Sequence, residues 1–387
     1  MINNQLKSSF FVKQCVLTGL LVFVVATTSH AQNGVTAGEV VVGMSNALSG
    51  PAAALGSGLK LGAEVYFNKM NKAGGVAGRK IRLISYDDGY EPKNTVENTR
   101  KLIQDDKVFA LFGFVGTPTS KAIIPMINQE KILYFGPFTG AEFLRNPVNS
   151  YVFNVRSSYF DEAEAQVGYL VDTLGVKDVG LFIQDDAYGI AVKGGVMRAL
   201  RKRGLNLVGE GRYTRNTVDV AKGLQEVKAA NPKAVSMVGT YRAMASFIRE
   251  ARATGFDPIF LNVSFVGTEA LIQELDGKGD GTLVSQVVPA PHDDSLPIVK
   301  QYQADMKAAG DEIYNYVSLE GYIDAMVFAE ILKRVGPDLT TESFIAVAES
   351  LTMEAGGMRF QFSPANHQAL QEVYLTKIAG GKAVPVE

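Results

Sequence analysis

The sequence predicts an α/β fold of two similar Rossmann-like lobes, each an open parallel sheet covered by helices. Three observations carry that prediction. At 387 residues the chain suits two domains rather than one. Short β-branched or aromatic runs alternate with stretches of helical periodicity, and the alternation occurs in two successive series. No low-complexity linker separates the series, so hinge strands rather than a tether are expected between them.

In the first series, Val40–Met44 is a continuous apolar run suited to a fully buried strand. Gly58–Asn71 places Leu59, Ala63, Tyr66, Phe67 and Met70 at helical spacing, and Gly74–Gly78 ends it. A strand at Ile81–Tyr86, a helix at Lys93–Gln104, a strand at Val108–Phe112, a helix at Pro118–Asn128 and a strand at Ile132–Phe135 follow. The second series reads as helices Glu162–Leu174, Ile190–Arg203, Val220–Ala230 and Ala243–Ala253. Between and after them come strands Val179–Ile183, Leu205–Gly209, Ala234–Val238 and Ile259–Asn262. The tail breaks the rhythm: a strand at Leu283–Val288, helices at Val317–Val335 and Thr341–Leu351, and short strands at Arg359–Phe362 and Val373–Ile378.

The N-terminus has the form of an export signal. Met1–Gln14 carries Lys7 and Lys13 and no acid, Val16–Ala26 is apolar, and Ser29-His30-Ala31 offers small residues at the -3 and -1 positions. Cleavage after Ala31 and export of a soluble protein are therefore expected, since the apolar run is short of the ~20 residues a membrane span needs. Cleavage removes two of 38 basic and none of 40 acidic side chains, so the formal charge moves from -2 to -4. It also removes the single cysteine, Cys15.

Composition closes off several classes of chemistry. A hydrophobic fraction of 47% with 20% charged residues excludes wholesale disorder, and near-balanced charge gives no footprint for nucleic acid. One cysteine supplies neither an internal disulfide nor a Cys-rich zinc site. Gly56-Ser57-Gly58-Leu59-Lys60-Leu61-Gly62, followed by Asp87 and Asp88, invites comparison with a dinucleotide fingerprint. Its glycines do not come directly off the first strand, however, so loop glycines and strand-end aspartates are the competing reading. His292 and His367 lie in a Pro-rich stretch and a polar turn, and no Gly-x-Ser-x-Gly elbow occurs. Asp185-Asp186 and Asp293-Asp294 lack the alternating oxygen ligands of a calcium loop and read as caps or solvated loops. No cofactor and no metal are expected.

The most informative segment is Phe109–Ser120. A buried strand enters a glycine-containing turn, then Thr117 as N-cap, Pro118 at the first helical position, and a helix. Such a helix start directs free N–H groups and a positive dipole end above the sheet, where a carboxylate would fit beside the Thr117 hydroxyl. The alternative is that Thr117 merely caps its own helix. Gly136–Gly140 should lie beside it at the carboxyl edge of the sheet, where open α/β sheets bind ligands.

Across nearly the whole chain, about Glu39 to Ile378, the order of motifs resembles the periplasmic substrate-binding proteins for branched-chain amino acids. The matching text is Leu48-Ser49-Gly50-Pro51, Asn71–Arg79, Tyr86-Asp87-Asp88 with Pro92, Asp185–Gly189 and Arg249–Gly255. The resemblance implies a type I periplasmic binding fold: two α/β lobes joined by three hinge crossovers that close over a ligand. It places lobe I at residues 38–156 plus 287–356, and lobe II at 157–286 plus 357–387. It implies no enzyme but delivery of a ligand to an ABC permease with its ATPase subunits, by a monomer. By position, Thr117 is similar to the hydroxyl that holds the ligand carboxylate, flanked by Val115 and Gly116. Phe138, Thr139 and Gly140 fall in the adjoining loop, and Tyr188 resembles the aromatic that closes from the second lobe. Thr240 aligns with a second aromatic, with Tyr241 as its substitute.

Three positions depart from the family pattern. Ser264 stands where the amino-acid binders place the acid that pairs with the ligand's ammonium. Gly140 stands where a Thr would bond it, and Leu55 where a tyrosine would sit. A buried ammonium without a charge partner costs several kcal/mol. The expected ligand is a branched-chain or aliphatic amino acid or a related carboxylate or amide; the missing acid favours a small, partly apolar carboxylate or amide without a free amino group, held among Phe114, Val115, Phe138 and Phe265. A shift of one or two residues in the alignment would instead return Glu269 to the site. The rival functions are a ligand sensor docking a receptor and a nicotinamide-dependent oxidoreductase.

Overall fold

The computed structural model describes residues 32–386. The expected export signal and Cys15 lie outside the described residues.

The first sheet is built from β1 (Glu39–Asn46), β2 (Lys80–Asp87), β3 (Ala110–Phe112), β4 (Leu133–Phe135) and β5 (Val152–Phe153), all parallel, in the order β2-β1-β3-β4-β5. Its connections are α1 (Ala53–Lys72), α2 (Pro92–Gln104) and α3 (Thr117–Glu130). Alternate residues of a strand face opposite sides, so Val40, Val42 and Met44 enter one core while Val41 enters the other. That is why these strands read as unbroken apolar runs: both faces are covered.

The second sheet follows α4 (Tyr159–Gly168), which continues as a wider turn over Tyr169–Thr173. It contains β6 (Val179–Gln184), β7 (Gly209–Tyr213), β8 (Ala234–Val238), β9 (Ile259–Asn262) and β10 (Leu283–Gln286), connected by α5 (Ala187–Lys202), α6 (Ala221–Ala229), α7 (Tyr241–Ala253) and α8 (Thr268–Leu275). The chain then returns to the first lobe as α9 (Pro297–Ala308), α10 (Tyr316–Val335) and α11 (Thr341–Glu349). A hairpin of β11 (Thr352–Ala355) and β12 (Met358–Gln361) comes next, and antiparallel β13 (Tyr374–Ala379) and β14 (Lys382–Pro385) complete the second sheet as β14-β13-β10-β9-β8-β6-β7.

Two boundaries differ from those the sequence suggests. A lobe change between residues 356 and 357 would cut the β11–β12 hairpin. Met353, Met358, Phe360, Phe362 and Leu370 all pack in the first lobe's core, so the last crossover lies after Leu370. The strand expected at Leu205–Gly209 begins only at Gly209, because the pairing run is Gly-Glu-Gly-Arg-Tyr rather than an apolar one. Gly211 is required there: a Cβ would strike the backbone of Gly223 on α6.

The dinucleotide-like glycines resolve as packing. Helix α1 starts at Ala53, so Gly56, Gly58 and Gly62 are helical rather than part of a phosphate-cradling turn. A Cβ on Gly62 would strike Ser318 O of α10, and one on Gly321 would strike Leu59 O of α1. The two helices thus approach backbone to backbone. Asp87 accepts from Leu48 N, Ser49 N and Gly89 N, while Asp88 accepts from Ser45, Thr95 and Tyr90 N. Both carboxylates hold the β1–α1 and β2–α2 loops.

Two crossovers run side by side between the lobes. Asn154 N donates to His367 O, Ala369 N to Asn154 O, Leu370 N to Val155 O, and the Ser157 hydroxyl to Glu372 O. His367 stacks on Phe153 with ring centroids 4.1 Å apart, which makes it a structural histidine of this junction.

Candidate functional site

The carboxyl edge of the first sheet is stitched as its strand order demands. Val115 N donates to Asn46 Oδ1 at 2.9 Å, Phe138 N to Phe114 O at 2.9 Å, and Gly116 N to Phe138 O at 3.2 Å. The loops after β3 and β4 therefore lie together, as their positions predict. The N-cap of α3 is Gly116, at φ 113°, and not Thr117, which is the first helical residue. Only a residue without a Cβ fits, since one would meet the Tyr90 ring and the Thr119 hydroxyl. The Thr117 hydroxyl does not cap its own helix. It faces the Thr139 hydroxyl at 2.6 Å, and Thr139 donates onward to Tyr159 Oη at 3.4 Å.

Against these hydroxyls the two lobes together build an aromatic cluster. Phe265 sits at its centre, with ring centroids 4.6 Å from Tyr188, 5.3 Å from Phe138 and 5.9 Å from Tyr90. Tyr159 adjoins Tyr188 at 5.5 Å. Every one of these rings is buried, and they join Leu55, Val115 and Tyr241 in one core spanning both lobes. Tyr188 occupies the first turn of α5, where Asp186 caps its N–H at 2.9 Å. Its hydroxyl is buried without a hydrogen-bond partner, and burial pushes the phenol well above its ordinary pKa.

The remaining expected residues fall into two groups. Gly140 is adjacent, but its free side is filled by Tyr159, whose N–H donates to Gly140 O at 2.7 Å. Leu55 and Tyr241 lie along the lobe contact, and Thr240 packs within the second lobe, none of them on the hydroxyl pair. Tyr241 Oη accepts from Ala54 N at the start of α1 (3.3 Å), Leu55 packs at Gly267, and Thr240 N donates to Tyr213 Oη at 3.4 Å. Phe114 is not in the pocket: one residue out of phase with Val115, it packs on Tyr134 in the opposite core.

Ser264 shows what the linear sequence concealed. Its N–H and hydroxyl both bond the Glu162 carboxylate, at 2.7 and 2.9 Å, so an acid does lie at this place, supplied by α4. That acid is fully engaged. Ser285 donates to it at 2.6 Å and Arg156 Nη2 at 3.2 Å, so four donors meet its oxygens. Arg156, in the first crossover, also donates to Ser264 Oγ and, at 3.2 Å, to Glu320 of α10. Its guanidinium lies 4.9 Å over the Phe138 ring and 6.0 Å from that of Tyr159, and its Nε is buried without a partner. Burial opposes the charge on Arg156, but Glu320 and Glu162 outweigh it and hold the guanidinium protonated. Burial pushes Glu320 up to about 7, against the pull of Arg156, and pushes Asp324 well above the usual carboxylate range.

Glu269, the other acid the sequence offered, is not here. Its carboxylate accepts from Tyr316 N of α10. Arg156, Glu162, Tyr90 and Tyr159 had no place in the sequence-based site. The available signal was an arginine directly after the largely apolar stretch Val152-Phe153-Asn154-Val155.

The family described as periplasmic binding protein matches residues 39–383 of this chain. The leucine-specific-binding protein of Salmonella typhimurium is 24% identical over 300 residues, 76% of this chain and 80% of that protein. Among solved structures, a possible leucine/isoleucine/valine-binding protein from Rhodopirellula baltica superposes with a TM-score of 0.86 at 36% identity, covering 91% of this chain and 97% of that one. A substrate-binding periplasmic protein from Ralstonia solanacearum gives 0.83 at 28% identity, covering 88% and 98%.

Proposed function

The chain belongs to the periplasmic binding protein family, and from that premise we propose that it is the exported substrate-binding component of an ABC importer. On this reading the first 31 residues are a signal cleaved after Ala31. The protein captures a small ligand between its lobes and presents it, closed, to a membrane permease with its ATPase. The ligand is an apolar carboxylate or amide without a free amino group, although two of the relatives named above, from Salmonella typhimurium and Rhodopirellula baltica, carry the names of amino-acid binders.

The observation that carries the ligand class is Arg156. In place of a ligand's ammonium, the protein's own guanidinium meets Glu162 and Ser264, above the Phe138 ring. An incoming ammonium would face a fixed cation and a carboxylate with no free lone pair. A carboxylate or amide oxygen instead meets the unpartnered Arg156 Nε, the Tyr188 hydroxyl, the Thr117–Thr139 pair and the start of α3. Closure follows because such a ligand contacts both lobes only when they are shut.

The test is a thermal-shift and calorimetric panel pairing aliphatic and aromatic carboxylates and their amides with the matching α-amino acids. Mass spectrometry of co-purified small molecules accompanies it. A ligand at 100 times its Kd adds about 2.7 kcal/mol of stability, a readable upward shift in Tm. We expect the desamino member of a pair to bind at least about tenfold tighter, a gap of about 1.4 kcal/mol. Thr117→Ala should lower that affinity. Tighter binding of leucine or valine than of their desamino analogues refutes the ligand class.

A further inference from the structure

We propose that Glu91 of lobe I and Arg215 of lobe II, with Asn216 beside it, are the clasp of the closed form: an ion pair at the outer rim of the cleft that sets how long the lobes stay shut. The inference rests on the reading that the lobes open and close, but not on the identity of any ligand.

The clasp joins the loops that lie farthest from the hinge. The first crossover leaves from β5, at one edge of the first sheet, whereas Glu91 follows β2 at the other edge. In the second sheet the strand before Arg215 is β7, an edge strand four places from β10, where the chain turns back to lobe I. Paired strands lie about 4.8 Å apart, so four spacings put the clasp about 19 Å across each sheet from the crossovers. At that radius an opening rotation of about 10° parts the two sides by about 3 Å, enough to break every bond between them.

Those bonds are short and share one carboxylate. Arg215 Nη2 donates to Glu91 Oε2 at 2.7 Å, and Asn216 Nδ2 donates to Glu91 Oε1 at 2.7 Å and to Gly89 O at 3.0 Å. Glu91 holds the N-cap position of α2 yet makes no cap bond there, so its carboxylate is given to the other lobe. Both loops reach the contact through left-handed backbone, with Gly89 at φ 58°, Tyr90 at 63° and Asn216 at 60°.

Arg215 is held ready for its partner. Its Nη1 donates to Asp186 Oδ2 at 2.9 Å, and Asp186 Oδ1 accepts from Tyr188 N at the start of α5. That bond lies within lobe II and survives opening, so little freedom is lost when Glu91 arrives. Arg215 is 22% exposed and Glu91 44%, so salt reaches the pair and screens it. The neighbouring ion pairs, Arg212 with Asp185 and Lys193 with Glu210, stay within lobe II and do not resist opening.

Residues 32–387 contain no cysteine, so a cysteine pair at the exposed Arg100 of α2 and Gln225 of α6 takes spin labels without background. Pulsed dipolar spectroscopy on the ligand-free protein then reads the interlobe distance and the share of each form. We expect a shorter and a longer distance in the wild type, with the short-to-long ratio falling at least about threefold in Glu91→Gln and in Arg215→Gln. The double variant should lose less than the product of the two single losses, because both remove one contact. Raising salt from about 0.02 to about 0.5 M should lower the wild-type ratio and leave that of Glu91→Gln nearly unmoved. Glu97→Gln, exposed on α2, should behave as wild type. Two distances whose ratio ignores Glu91 and Arg215, or a salt dependence that Glu91→Gln retains, overturn the clasp and leave the moving lobes standing. A single distance in the wild type and every variant, at every salt concentration, overturns the clasp together with the motion it rests on. A ligand panel that fails leaves this result unaffected.

Discussion

Arg156→Met should destabilise the protein strongly at alkaline pH and weakly at acid pH. The guanidinium is 1% exposed and Glu162 is 0% exposed, with 3.2 Å between them. Methionine keeps most of the apolar stem but leaves Glu162 with three donors and no cation. Removing one partner of a buried pair costs about 3–5 kcal/mol, because the remaining charge is uncompensated. Glu320 stands at about 7 with the arginine beside it and rises further without it, so it escapes by staying protonated. The folded-state pKa of Glu320 lies above the unfolded value and moves further up in the variant, so the cost is full above that raised value and shrinks as pH falls toward the ordinary carboxylate range. Urea unfolding at pH 8 and pH 5.5, with the slope checked for constancy, measures the difference. Arg156→Met with Glu162→Gln should recover about half of the pH 8 loss or more, a non-additivity expected of groups in contact. A loss under about 1 kcal/mol at pH 8, or one equal at both pH values, refutes the view that Arg156 and Glu162 neutralise each other.

Two further substitutions probe different links. Tyr188→Phe removes a buried hydroxyl with no partner, so ligand-free stability should hold or rise slightly while affinity for a carboxylate or amide ligand falls. Thermal denaturation and calorimetry read the two effects separately. Gly62→Val should lower stability by about 3 kcal/mol or more, since its side chain meets the α10 backbone at Ser318 and Tyr322, where nothing flexible yields. A Tm within a degree of wild type would disprove the close approach of α1 and α10.

The fold was legible where burial is two-sided. β1, β3, β4, β8 and β9 are short apolar runs because helices cover both faces, and a run of that kind survives any change of context. β7 was not legible, because it is an edge strand whose Glu210 and Arg212 pair with each other and with Lys193 and Asp185. Its alternation carries ion pairs instead of apolar side chains. The start of α1 was hidden by Gly56 and Gly58, which weaken a helix locally; Gly56 is required because a Cβ would strike the Ala47 backbone, and Gly58 packs closely on Val317. Thr117 and Thr139 were legible from strand-end logic alone, since parallel β3 and β4 fix their loops side by side.

The acid at Ser264 was illegible for a deeper reason. An alignment compares one position at a time and records a serine where an acid is expected. The structure instead places the carboxylate of Glu162, 102 residues earlier in the chain, onto that serine. At this place the carboxylate is supplied by the first turn of α4 and not by the loop after β9. That placement decides its chemistry. On α4 the carboxylate comes within 3.2 Å of Arg156, so it arrives already neutralised and hydrogen-bonded on all sides. An acid in the β9 loop would be free to meet a ligand's cation. An acid on α4 is occupied by the hinge, beside the buried Tyr188 hydroxyl and Arg156 Nε that have no partner.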